Sequence, residues 1–277
     1  LKDFLAQIVR IQASSRLYPD CVQVRDISTD NFHEIEKRAG QEGRAVGRFF
    51  YLADARLLIV TLPTDPHEEL HRFICSEING QARDMGLAFE IGSVGTRKAP
   101  AALGGESSGE SDSNFFPHLQ RSASSGDWPS VVIEAGHSYT YDSLKAKASW
   151  WLRESNYTVR LVLLVKMEIR RREIWIEKWK GLPLLGYGGP VTRSRSSLPL
   201  EPRQISSRVT VSRAAGITDA HPNRFNPASY NIARGNLQID FEYLFCRPAQ
   251  APGEADININ MTGLRQFAVN CWRKVHD

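Results

Sequence analysis

No run of about 18 apolar residues occurs in the chain, so the sequence offers no helix able to span a bilayer. It begins Leu-Lys-Asp, without a charged patch followed by an apolar stretch, so no secretory signal is visible. The lack of an initiator Met points to numbering that starts inside a longer chain. The four cysteines, Cys21, Cys75, Cys246 and Cys271, lie far apart and form no CxxC or Cys/His spacing, which argues against a zinc ribbon and a disulfide framework. Reduced, mostly buried thiols in an intracellular protein, cytoplasmic or nuclear, are the expectation. No internal repeat occurs. No helix-turn-helix, zinc finger or RNA-binding signature chooses between DNA and RNA.

What is present is a foldable chain. With 277 residues, 42% hydrophobic and 24% charged, it can bury the core of one large domain or two small ones. The net charge of +4 is unevenly placed. From Gly181 to Gly235 there are seven arginines (Arg193, Arg195, Arg203, Arg208, Arg213, Arg224 and Arg234) against two acids, Glu201 and Asp219, an excess of five. Recurrent Pro, Ser, Arg and Gly there read as a long basic surface insertion. Arg193, Arg195, Arg203 and Arg208 would favour a phosphate backbone, whereas a solvated loop without a partner explains the composition equally well.

Hydrophobic patterning gives the elements. RFFYLADARLLIVTLP (48–63) reads as two strands about a turn at Ala53-Asp54-Ala55. TDPHEELHRFICSEINGQARDMGL reads as a helix with Asp65 as N-cap, Pro66 in the first turn and Glu68 as a capping-box acid, its apolar face carried by Leu70, Phe73, Ile74 and Ile78. Residues 97–130 read as irregular and residues 1–46 as an N-terminal extension. SVVIEAG reads as a buried strand, SLKAKASWWLRES as a helix, and VRLVLLVKMEI with EIWIEKW as a hairpin about the triple arginine 170–172. LQIDFEYLFCRP and DININM read as strands, and TGLRQFAVNCWRKV as a closing helix. The order predicts an α/β fold with one mixed sheet and helices packed on it.

The chemistry centres on Glu134, a carboxylate inside an apolar strand. Unpaired, it would cost several kcal/mol or titrate to neutral, so it needs a cation or donor. Asp112 stands beside Phe115-Phe116, on a neighbouring strand or its approach. Two acids brought together across adjacent strands would form a hard oxygen site suited to Mg²⁺ or Mn²⁺.

The order HE…SDSNFFP…PSVVIEAGHS…LKAKASWWL…VRLVLLVKMEI…IWIEKW resembles uncharacterised fungal members of the PD-(D/E)XK superfamily and, more distantly, the bacterial Uma-type restriction endonucleases. The resemblance runs from about Gly47 to the end, outside residues 1–45 and much of 181–235. It implies a restriction-endonuclease-like mixed sheet flanked by helices over residues 47–277. It also implies a metal bound by Glu68, Asp112 and Glu134 that activates water for phosphodiester hydrolysis. Ser111 stands where the superfamily's PD motif has proline, and Gly136 stands where its lysine is usual. Lys147, in the following helix, occupies the place to which the Uma-type group moves that lysine, and it falls within the apolar arc of Leu144, Ala148 and Trp151.

Each residue also has a plainer role open to it: Glu68 in the cap, Lys147 solvated over a tryptophan, Asp112 an ordinary loop acid, His67 and His137 structural. The expectation is a metal-dependent nuclease acting on DNA or RNA. The alternative is a catalytically inactive nuclease-fold protein that binds nucleic acid or a protein partner; a structural homodimer module is a third reading.

Overall fold

The computed structural model describes residues 19–41, 47–93, 98–100, 105–121, 126–183, 199–206, 208–250 and 252–276. In chain order, β1 (Cys21–Val24) and α1 (Thr29–Gln41) precede the hairpin β2 (Arg48–Leu52) and β3 (Leu57–Thr61), then α2 (Asp65–Asp84). Five strands follow: β4 (Ile91–Gly92), β5 (Lys98–Pro100), β6 (Ser108–Glu110), β7 (Ser113–Pro117) and β8 (Val131–Gly136). Helix α3 (Tyr141–Glu154) leads to β9 (Leu161–Glu168), β10 (Glu173–Pro183), β11 (Leu200–Gln204), β12 (Val209–Arg213) and β13 (Tyr230–Ala233). The chain closes with β14 (Leu237–Ile239), α4 (Phe241–Phe245), β15 (Ile257–Ile259) and α5 (Met261–His276).

The result is mixed α/β, with several sheets and five helices among the described residues. None of those helices is long and apolar enough to cross a membrane. The larger sheet has the order β13-β12-β10-β9-β8-β7-β4, with β11 also paired to β10. Its β8 and β9 run parallel, and α3 makes the crossover that a parallel pair requires. A second sheet, β1-β3-β2-β6-β5, is antiparallel throughout.

Strand β8 divides the core, because successive side chains leave opposite faces. Val131, Ile133 and Ala135 join Leu70, Ile74 and Ile78 of α2 and Phe267 of α5 in one buried cluster. Val132 joins Leu144, Ala148 and Trp151 of α3 in another. Glu134 has the parity of Val132 and is therefore aimed at α3.

Several sequence expectations are corrected. Residues 19–41 are not an extension: β1 pairs with β3, and Phe32 and Ile35 of α1 are buried against the β2–β3 hairpin. Residues 97–130 are not simply irregular, since β5, β6 and β7 lie there. In the segment 181–235, the described residues 181–183, 199–206 and 208–235 belong to the domain. β10 runs on to Pro183, β11 and β12 both pair with it, and Val209, Val211 and Tyr230 enter the core. The alternation of Val-Thr-Val-Ser-Arg, buried at every second residue, is what carries β12 into the sheet. FEYLF is a short helix between two short strands. The α2 N-cap is Thr64, whose hydroxyl accepts from the His67 amide, one residue before the expected Asp65. Glu68 is then too far along the helix to close a capping box, and its carboxylate is held by arginines instead.

Candidate active site

Glu134 and Lys147 are both completely buried, and the Lys147 ammonium lies directly against Glu134 Oε2. Lys147 and Trp151 are four residues apart on α3, so both reach the same carboxylate; Trp151 Nε1 donates to Glu134 Oε1 at 2.6 Å. The ammonium also sits 5.1 Å from the ring centres of Phe50 and Tyr139, an aromatic lining that offsets part of its lost hydration. Burial pushes the Glu134 carboxyl up to about 7 against the opposing pull of Lys147, and the charge of Asp112 adds to the rise. Burial alone would lower the Lys147 pKa, but Glu134 and Asp112 together hold it above its ordinary value.

The absence of a lysine at position 136 has a steric cause. A Cβ on Gly136 would lie 2.2 Å from the Tyr139 ring. Tyr139 is anchored there by its hydroxyl bond to Thr61. The space that a β8 lysine would cross is therefore filled by the ring under Lys147, and the ammonium arrives from α3.

Asp112 immediately precedes β7. Because Ser113 pairs with Ile133, Asp112 comes opposite Glu134 just past the last paired residues. Its Oδ2 accepts from the Ala135 amide at 2.8 Å, so a side chain extends the ladder where the strand has ended. Its Oδ1 lies 3.1 Å from Arg48 Nε and 3.2 Å from His67 Nε2. The arginine contact is one of charge, without hydrogen-bond alignment. Burial raises the Asp112 pKa, but His67, Lys147 and Arg48 outweigh it and hold the carboxyl well below the usual range.

Arg48, from the first residue of β2, ties this acid to Glu68: its Nη2 is 3.0 Å from Glu68 Oε1. Arg72 holds the other Glu68 oxygen at 2.9 Å. Burial works against ionisation of Glu68, yet His71 and Arg48 bring its pKa down to about 2.

His67 Nδ1 lies 3.0 Å from Asp20 Oδ2, and Asp20 accepts amide bonds from His137 and Ser138, each at 2.7 Å. Burial would lower the His67 pKa, but Asp112 and Asp20 raise it to about 9. Arg48 Nη2, 2.8 Å from His67 Nε2, opposes that rise. Two carboxylates against the ring prevail, because the guanidinium charge is itself shared with Asp112 and Glu68.

The structure thus gathers the four sequence-derived residues into one connected cluster: Lys147 on Glu134, Asp112 opposite Glu134, and Arg48 bridging Asp112 to Glu68. Arg48 and Glu68 form the inner wall of a cleft of about 520 Å³, also lined by Thr64, Glu69, Arg72 and Lys274. Sequence reading missed Arg48, Asp20 and the placement of His71. Both histidines carried a signal in the spacing His-Glu-Glu-Leu-His, which puts the imidazoles on one helix face. Arg48 and Asp20 carried none, because long-range pairing alone brings them in.

Of the arginines expected to contact nucleic acid, Arg193 and Arg195 lie outside the described residues. Arg203 pairs with Glu201, and Arg208 pairs with buried Glu177 at 2.6 Å while stacking 4.1 Å over Trp175. Arg208 therefore joins the approach of β12 to β10, whereas Arg203 pairs within its own strand β11. His137 lies beside Asp20 and Thr64, in the same cluster as His67. No protein-family model matches the chain, and no curated protein matches it.

Proposed function

We propose that the chain is a metal-dependent phosphodiester hydrolase of the PD-(D/E)XK type, acting on DNA or RNA. The observation that carries this reading is Lys147 reaching Glu134 from the helix after its strand, with Asp112 opposite on the neighbouring strand. A buried charged cluster of this kind is poor value for stability, since apolar residues of like volume commonly do as well or better. Strongly perturbed ionisable groups beside a cleft are a mark of functional sites. The acids fit a cation between Glu68 and Asp112, because the Arg48 guanidinium already stands there as one.

Glu68 and Asp112 would hold the metal once Arg48 turns into the cleft, and Glu134 would join them by exchanging its Lys147 or Trp151 partner. The bound ion would supply an activated water and charge stabilisation at the scissile phosphate. Lys147 fixes the Glu134 carboxylate and keeps a positive charge within the site. Trp151 orients the same carboxylate, and the Ala135 amide orients Asp112.

Arg48 also favours a second reading, that of a catalytically silent nuclease fold whose acids are permanently paired. Cleavage of mixed DNA and RNA substrates in Mg²⁺ and Mn²⁺, with Glu134→Ala in parallel, separates the two. Metal-dependent cleavage lost in the variant supports hydrolysis, and no cleavage by the parent protein supports the silent reading.

A further inference from the structure

His67 and His71 occupy positions i and i+4 of α2, with ring centres 5.6 Å apart. With Glu68 they can bring one ligand atom each within 4.8 Å of the others. Each ring is fixed from behind: His67 Nδ1 by Asp20 at 3.0 Å and His71 Nδ1 by Ser113 Oγ at 2.8 Å. Partners of this kind on the outer nitrogen are what orient metal-binding imidazoles.

The inner nitrogens differ in a telling way. His71 is only 3% exposed, and its Nε2 has no hydrogen-bond partner among the described residues. It faces Glu68 Oε1 across 3.5 Å. With Nε2–H on the ring, His71 faces Glu68 as a donor; in the other tautomer, whose Nδ1–H donates to Ser113, the Nε2 lone pair and the carboxylate oxygen are free to share a cation placed between them. His67 Nε2 faces the Arg48 guanidinium at 2.8 Å, and the same group contacts Glu68 and Asp112. A protein cation therefore already stands where two carboxylates and an imidazole converge.

We propose that His67 Nε2 and His71 Nε2, with the carboxylates of Glu68 and Asp112, form a site for a zinc-class divalent ion, which binds as Arg48 swings into the adjoining cleft and His67 gives up its proton to solvent. Imidazole with carboxylate suits zinc and its transition-metal neighbours, whereas magnesium prefers oxygen alone. The inference deepens the hydrolytic reading by naming the ion class at a site that shares Glu68 and Asp112. It is tested by uptake, without cleavage.

The experiment uses the full chain stripped with chelator, titrated with Zn²⁺ in a calorimeter and with Co²⁺ by visible absorption. One equivalent should bind, with cobalt d–d bands and no thiolate charge-transfer band, which rules out capture by the cysteines. His71→Ala should weaken uptake by at least roughly 10- to 100-fold. Arg48→Gln should tighten it, a gain that misfolding cannot imitate. No uptake by the parent protein or Arg48→Gln would overturn the proposal, as would uptake indifferent to His71→Ala. Zinc uptake without cleavage of nucleic acid would support this site and remove the hydrolytic reading. Magnesium-dependent cleavage without zinc or cobalt uptake would do the reverse.

Discussion

Lys147 and Glu134 form an ion pair in which neither side chain reaches solvent, one partner on the internal strand β8 and the other on the crossover helix that follows it. Removing one partner strands the other in the interior. Lys147→Met should therefore destabilise the fold by about 3–5 kcal/mol, and the double variant Lys147→Met/Glu134→Leu should recover much of that. Urea unfolding of the three proteins measures it. A single variant as stable as the parent would show that the pair does not exist as described.

The ionisable cluster predicts a stability profile with a limb on each side. Asp20 and Glu68 titrate lower in the folded state, at about 2 against ordinary values of 3.8 and 4.5. Burial raises both, but for Asp20 the bonds and charges of His67 and His137 win, and for Glu68 those of His71 and Arg48. Their contribution is present above those ordinary values and is lost as pH falls toward 2. Groups raised by folding act with the opposite sign. Glu134 moves from 4.5 to about 7 and His67 from 6.5 to about 9, so their contributions are full below the ordinary value and lost as pH rises through the folded one. Urea midpoints taken across the pH range should fall on both sides of a maximum on the acid side of neutrality. His67→Gln should flatten the alkaline limb between 6.5 and 9. An unchanged alkaline limb in that variant would contradict the assignment of His67.

Arg208 and Arg203 should behave differently although both are basic residues of the same segment. Arg208→Ala removes a charged partner from Glu177, which is 1% exposed at its side chain, and should cost about 1–3 kcal/mol. Arg203→Ala breaks a part-exposed pair with Glu201 and should change stability by under about 1 kcal/mol. Thermal or urea unfolding tests the contrast. Equal effects would mean that Arg208 is solvated like its neighbour.

Much of the centre of the fold was legible because its signals are local. The apolar run around Glu134, the periodicity of α3 and the β9–β10 hairpin each follow from residues within one element. The resemblance added Glu68 and Lys147, which the structure brings into one cluster with Asp112 and Glu134. The edges were not legible. Residues 181–235 read as an insertion because Pro, Ser, Arg and Gly recur there, while Val209 and Val211 carry the strand signal of β12 in only two positions. FEYLF has the composition of a strand, yet Phe241, Leu244 and Phe245 are buried together as one helical turn. Asp20 belongs to the site through pairing of distant segments, with β1 on β3 and the 137–138 amides on its carboxylate. No window of sequence contains that relation. Gly136 stands where the resemblance expects a lysine; the Tyr139 ring that excludes a side chain there is three residues on, and only the fold turns it back.

The central claim, that Glu134 and Asp112 form the working end of a phosphodiester hydrolase, is tested most directly by the rate of cleavage of plasmid DNA and structured RNA in Mg²⁺ or Mn²⁺. The parent protein should cut at least one substrate, chelator should abolish the cutting, and Glu134→Ala should lower the rate by roughly 100-fold or more, the scale on which an electrostatic group of an active site contributes. A parent protein that cuts neither substrate with either ion, or a Glu134→Ala variant that cuts as fast as the parent, would contradict it.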